Sequence, residues 1–137
     1  MSQLRITAGP FAFQARFETQ LAPKTCEIFE RLLPYTQRVI HVRWSGEAVW
    51  IPLGDTDMGV PNENQTSFPA PGQMLLYPGG LSETEILLGY GGVRFASKVG
   101  QLAGNHFLTI TSPMEDLAKL GKMCLWEGAQ PLKIEAA

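Results

Sequence analysis

Glu83 and Glu85 stand two residues apart in a segment, ETEILL, that alternates like a β-strand, so their carboxyls share one face. Paired carboxylates perform acid–base work when one raises the pKa of the other. The same pair also suits a solvated outer strand face. The setting favours chemistry: Tyr77-Pro78-Gly79-Gly80 precedes the pair and Tyr90-Gly91-Gly92 follows it. Glycines let a backbone approach a ligand closely, although plain turn geometry accounts for them too. On this count Thr84, Ile86 and Leu88 take the core face.

A second polar cluster opens another strand. In VGQLAGNHFLTIT, residues 99 to 111, Asn105 and His106 stand in front of an alternating run from Phe107 to Thr111. Imidazole changes charge near neutral pH and can act as acid, base or ligand donor. With Phe107 pointing out, His106 would share a face with Leu108 and Ile110 as a core histidine bonded to a carbonyl, which is the simpler role. Asn105 either orients it, binds a carbonyl, or is a turn residue. Arg43 and Trp50 fall on the outer face of a third segment, where an arginine beside an aromatic can clamp a carboxylate or form a surface cation–π pair. His41, His106 and the glutamates lack any metal-ligand spacing, and GxxxxGK is absent, so neither a metal, a phosphate loop nor a cofactor is expected.

The elements that must position these residues can be read from period and punctuation. Leu4 to Thr7 and Phe11 to Glu18 form a hairpin across Gly9-Pro10, with Phe11, Phe13, Ala15 and Phe17 on one face. APKTCEIFERLL, residues 22 to 33, changes to a helical period, with Pro23 in its first turn and Pro34 after its end. Thr36 to Trp44 and Glu47 to Leu53 make a second hairpin around Ser45-Gly46. Its expected pairs are Trp44 with Glu47, Val42 with Val49 and Ile40 with Ile51. That sends Ile40, Val42, Val49 and Ile51 inward, and His41, Arg43 and Trp50 outward. Trp44 also counts inward, at the hairpin tip.

Residues 54 to 72 form a long loop without period, a length often associated with function. Strands follow at Gln73 to Tyr77, Glu83 to Leu88 and His106 to Thr111, with a chain reversal at Tyr90-Gly91-Gly92. Ser112-Pro113-Met114-Glu115 reads as a capping box for a helix from Pro113 to Leu120 that Gly121 stops. Leu132 to Glu135 is the last strand. Strand, strand, helix, several strands, helix, strand describes a mostly β protein: a closed antiparallel barrel with two capping helices, as a single domain over residues 1–137.

Bulk properties narrow the partners. Eleven basic residues against thirteen acidic ones leave a net charge of −2, and no Lys/Arg cluster offers the basic face that nucleic acid requires. The N-terminus MSQLRITAGPF lacks a signal-peptide core, and no apolar run nears the ~18 residues of a membrane span. The expectation is a cytoplasmic protein with no membrane partner, whose two cysteines, Cys26 and Cys124, are buried free thiols.

The layout resembles the cyclophilin-like barrel, and APKTCEIFERLLP is similar to the helix start of that superfamily. PGQMLLYPGG, ETEILLGYGG and FASKVGQLAGNHF resemble a bacterial cyclophilin-like family of unknown function, the DUF3830 type, over roughly residues 3 to 135. The resemblance implies the fold and no particular reaction. Against true cyclophilins the nearest counterparts are Ile51-Pro52-Leu53-Gly54-Asp55 and Gly104-Asn105-His106-Phe107-Leu108. The glutamine that would bind a peptide carbonyl is missing, so prolyl isomerisation is a weak reading.

Three functions therefore stand open, and whether the protein is an enzyme stays open with them. The first is a site for a small carboxylate or cyclic amide, bound, hydrolysed or isomerised, since other cyclophilin-like domains occur in enzymes of amide and lactam breakdown. Its catalytic residues would be His106, Glu83 and Glu85, and its ligand contacts Arg43, Trp50, Tyr90 and Asn105. The second is a non-catalytic binding or assembly module, a homo-oligomer burying Trp50 and Trp44. The third is a peptidyl-prolyl isomerase. The first requires Glu83, Glu85, Tyr90, Asn105 and His106 to converge on one concavity.

Overall fold

Alternation along eight strands dictates the architecture, because a sheet with one apolar face per strand can hide all of them by closing on itself. The computed structural model describes residues 3–137. Leu4–Ala8 (β1) and Phe11–Phe17 (β2) lead into the helix Pro23–Glu30 (α1). Tyr35–His41 (β3), Gly46–Gly54 (β4), Gln65–Thr66 (β5), Gln73–Tyr77 (β6) and Thr84–Val93 (β7) follow. Ala96–Ser97 (β8) and Gly100–Gln101 (β9) form a small separate hairpin before Gly104–Ser112 (β10), the helix Glu115–Glu127 (α2) and Gln130–Ala136 (β11). The barrel order is β2-β1-β11-β3-β4-β7-β6-β10, closed by β10 pairing back onto β2, with β5 beside the start of β10. Every pairing is antiparallel. No helix among the described residues is long and apolar enough to cross a membrane.

The interior is built from every second residue: Leu4, Ile6 and Ala8 of β1, Phe13, Ala15 and Phe17 of β2, Ile86 and Leu88 of β7, Met74 and Leu76 of β6. α1 adds Phe29, whose ring packs 5.0 Å from Phe107 and 4.9 Å from Tyr35. Its wet face carries the Glu27–Arg31 pair at 2.7 Å. α2 contributes Leu117, Leu120 and Cys124 to the same core. Both cysteines are free and buried, and burial pushes their thiols up, Cys26 to about 12 and Cys124 to about 11.

A second apolar cluster lies on the outside of the wall. Ala48, Leu75, Tyr77 and Leu87 are roofed by Phe95 and Leu102, with Val42 and Val93 at the margin. Residues 94 to 103 thus form a strap over β4, β7 and β6. This explains why Met74 to Tyr77 and Thr84 to Gly89 are buried without a break: both faces of these strands are covered.

The second hairpin departs from its expected register by one residue. Ile40 stands opposite Trp50 and His41 opposite Val49. The cause is Ser45. Its hydroxyl donates to the Ala96 carbonyl and accepts from the Ala96 N–H, both at 3.0 Å, and its carbonyl accepts from the Arg94 N–H at 3.1 Å. Serine tied to the strap cannot also close a two-residue turn. A one-residue slip exchanges faces, so Ile40 and Val42 lie outside and Val39 inside, while Trp50 keeps its outward place.

Tyr90-Gly91-Gly92 does not reverse the chain, since β7 runs straight on to Val93, opposite Gly46. A side chain at Gly91 would collide with the Glu47 carboxylate, which accepts the Gly92 N–H at 2.8 Å. Nor does Gly121 stop α2, which continues to Glu127. The Tyr90 ring lies where a Gly121 side chain would be, so glycine is there for a close helix–strand contact. Ser112 ends β10 opposite Gln14 and makes no cap bond to α2. Gly121→Ala is expected to cost about 1–3 kcal/mol through overpacking, despite the better helix propensity of alanine. Thermal unfolding checks this, and an unchanged or raised Tm would contradict the contact.

Candidate functional site

Outside the barrel, between the β3–β4 loop, the start of β7 and the β8–β9 hairpin, lies a hollow of about 410 Å³, within the usual size of small-molecule sites. Val42, Arg43, Trp44 and Ser45 form one wall, Leu81, Ser82 and Glu83 another, and Ala96 to Val99 a third, with Trp50 and Glu85 between them.

Glu85 is 4% exposed. On the sheet it stands between Pro52 of β4 and Tyr77 of β6, two residues from Leu87 on the same face. It makes no hydrogen bond to any described residue. Burial first, and the negative charge of Glu83 second, push its carboxyl from 4.5 to about 8. It is therefore mostly a neutral acid at pH 7, able both to donate and to accept a hydrogen bond. Trp50 is its counterpart: its indole Nε1–H is buried and has no partner among the described residues. A buried, unpaired donor costs free energy, and the residue that carries it lines the hollow. Arg43 and Lys98 against Glu83 leave the rim with an excess of positive charge.

The walls are positioned by Tyr77 and Ser45, which read in the sequence only as parts of turns. The Tyr77 hydroxyl accepts the backbone N–H groups of Leu81 at 3.0 Å and Ser82 at 3.4 Å, while its ring meets Phe95 edge-on at 5.8 Å. One phenol thus anchors the turn of one wall and the strap of another. Ser45 ties the loop of the third. The buried polar tip of a tyrosine next to Pro-Gly-Gly was the available signal for Tyr77. Lys98 and Ser45 carried none, since they meet the site only through the strap.

Of the residues singled out from the sequence, Arg43, Trp50, Glu83 and Glu85 line this hollow. Tyr90, Asn105 and His106 do not, so the expected convergence of Glu83, Glu85, Tyr90, Asn105 and His106 on one concavity is corrected. Tyr90 lies against α2, its hydroxyl donating to His41 Nε2 at 2.7 Å while His41 Nδ1 donates to the Val42 carbonyl at 2.8 Å. Asn105 is fully buried. Its amide donates to Thr25 Oγ1 at 3.1 Å and the Pro61 carbonyl at 2.7 Å, and its oxygen accepts the Glu63 N–H at 3.2 Å. Glu63 in turn accepts the N–H and hydroxyl of Thr25, both at 2.6 Å.

A bulge between His106 and Leu108 sends Phe107 and Leu108 both into the core. It leaves His106 and Thr109 on one outer face, so His106 is not the core histidine that an outward Phe107 implied. Its Nε2 donates to Thr109 Oγ1 at 2.7 Å, and that hydroxyl donates to Glu18 at 2.5 Å. Burial lowers the pKa of His106 against the opposing pull of Glu18. Among the described residues, no three His, Cys, Asp or Glu side chains gather as a metal site.

Solved structures share the fold, two of them as follows. McbB in complex with tryptophan superposes with a TM-score of 0.71 at 17% identity, over 98% of this chain and 44% of McbB. The chain therefore spans less than half of that protein. The hypothetical protein AF2241 from Archaeoglobus fulgidus has a TM-score of 0.63 at 16% identity, over 99% of this chain and 95% of its own. No curated protein matches the sequence. A family model described as "Protein of unknown function (DUF3830)" matches residues 4–136, nearly the whole barrel from β1 to β11, and the chain belongs to that family.

Proposed function

We propose that the protein binds a small carboxylate or cyclic amide in the hollow between the β3–β4 loop and the strap. The observation that carries this reading is the pairing of Glu85, 4% exposed and without a hydrogen bond, with the buried, unpartnered Trp50 Nε1 in one cavity. Two unmet polar groups on residues lining one hollow supply the few polar contacts that orient a ligand in a mostly apolar pocket. Arg43 and Lys98 attract an anionic group to the mouth, and Trp44 and Trp50 offer apolar surface to its body. Glu85, with its carboxyl near 8, is the group able to exchange a proton with the occupant at neutral pH.

The test is a thermal-shift panel of small carboxylates and cyclic amides. Tryptophan belongs in it, because McbB, which shares this fold over part of its length, is solved in complex with it. A ligand at 100 times its Kd adds about 2.7 kcal/mol, which raises Tm by several degrees in a domain of this size. The rise is expected in the wild type and in His106→Ala, and reduced in Arg43→Ala and Trp50→Phe. No rise from any compound, or one undiminished in both of the latter variants, refutes the site.

A second reading rests on the rim, where Trp44, Leu81 and Val99 are 57%, 79% and 60% exposed. Exposed apolar side chains gathered at one mouth also suit a subunit contact. Light scattering separates the two: a stable oligomer that Trp44→Ser dissociates favours assembly, and a monomer excludes it.

A further inference from the structure

Building on that pocket reading, we infer that Glu85 enters the complex as a hydrogen-bond donor, so that it and the Trp50 indole N–H together hold one acceptor group of the ligand, a carbonyl or carboxylate, and the site discriminates against ammonium ligands. The geometry supplies the donors. Trp50 Nε1–H can only donate, and it is buried without a partner. Glu85 lines the same hollow as Trp50, and its carboxyl is bonded to nothing among the described residues. A cation placed there would answer Glu85 but leave the indole N–H unmet. An acceptor answers both.

The charges facing Glu85 point the same way. Glu83 at the start of β7 opposes ionisation of its neighbour. Arg43 from the β3–β4 loop and Lys98 from the β8–β9 hairpin line the same hollow and oppose a cationic guest. From β6 comes Tyr77, whose oxygen already accepts two backbone N–H groups. From β4 come Trp50 and Pro52, neither of which can ionise in the working range. Burial keeps the proton on Glu85 up to about pH 8. Binding of an acceptor is then lost as pH rises past that value, because the ionised carboxylate has no proton to donate and repels an anion.

Three probes with one aromatic body and different head groups test the inference: phenylacetamide, phenylacetate and 2-phenylethylamine, titrated calorimetrically into the intact protein. Phenylacetamide and phenylacetate are expected to bind at pH 7 and to weaken about tenfold by pH 9, the loss that follows when only the protonated form of a group with a pKa of about 8 binds. Phenylacetate is expected to gain more from low salt, through Arg43 and Lys98. Glu85→Gln keeps an N–H donor. It is expected to bind phenylacetamide within about threefold of the wild type at pH 7 and to lose the pH dependence. Trp50→Phe is expected to weaken the amide at least about fivefold, the value of one hydrogen bond. Tighter binding of 2-phenylethylamine, strengthening with pH, overturns the donor assignment while leaving the pocket intact. A pH dependence that survives in Glu85→Gln, or an unchanged affinity in Trp50→Phe, also overturns it. Failure of all three probes at millimolar concentration overturns both the assignment and the pocket reading beneath it.

Discussion

Glu85→Gln is expected to stabilise the protein above pH 8 by about 3–4 kcal/mol, and to destabilise it by about 1–2 kcal/mol at pH 4. The folded wild type holds the Glu85 proton up to about pH 8, whereas the unfolded chain releases it near 4.5. Between these values the folded state binds more protons than the unfolded state, so stability falls as pH rises. Above pH 8 both states are ionised and the loss is constant. A shift of this size corresponds to about 5 kcal/mol at full ionisation. Glutamine removes that cost but leaves a buried amide without a partner, which returns about 1–2 kcal/mol.

His106 acts in the opposite sense. Its folded pKa is lowered from 6.5, so the unfolded chain takes up protons more readily, and this group favours the fold as pH rises towards 6.5. The window from pH 6.5 to 8 therefore isolates Glu85. Urea unfolding across that window should give a falling curve for the wild type and a flat one for Glu85→Gln. Parallel curves would mean that the carboxyl is not protonated in the fold.

Asn105→Ala is expected to cost about 3–5 kcal/mol, among the largest losses a single substitution produces. The residue is 0% exposed, and alanine would leave the Glu63 N–H and the Pro61 carbonyl without their partner as well as opening a cavity. Each stranded group costs about 1–3 kcal/mol. The same change would free the 55–64 loop from the barrel, so proteolysis within it should accelerate. His106→Ala, one residue away, should cost only about 1 kcal/mol, because that side chain lies on the outer wall, 14% exposed, and loses one hydrogen bond. Asn105→Asp discriminates further: the carboxylate still accepts from Glu63 but has no proton for Pro61, so its loss should fall between the two. Equal losses for Asn105→Ala and His106→Ala in denaturant unfolding would refute the tie.

Much of the barrel was legible because alternation is local. Phe13, Ala15 and Phe17 declare a strand with one buried face wherever the sheet closes, and APKTCEIFE declares a helix by its change of period. The register of β3 and β4 was not legible, because Ser45 answers to Ala96, fifty-one residues away. Gly121 reads as a stop signal until the Tyr90 ring is seen to occupy the space its side chain would need. Asn105 and His106 look like partners in sequence, yet the bulge at Phe107 turns one to the interior loop tie and the other to the outer wall.

The chain alone determined the long strands and the two helices, though not where β7 and α2 end, and that Glu83 and Glu85 share a face with an arginine and a tryptophan on neighbouring outward positions to choose from. It could not say which polar groups meet. Only the folded strap decided that. By roofing β4, β7 and β6 it buried the Trp50 N–H without a partner and left Glu85 almost wholly covered, its carboxyl unbonded, in the hollow beside it. An unpaired polar group is costly only once a distant segment has removed its solvent, and no periodicity within a strand records where that segment will lie.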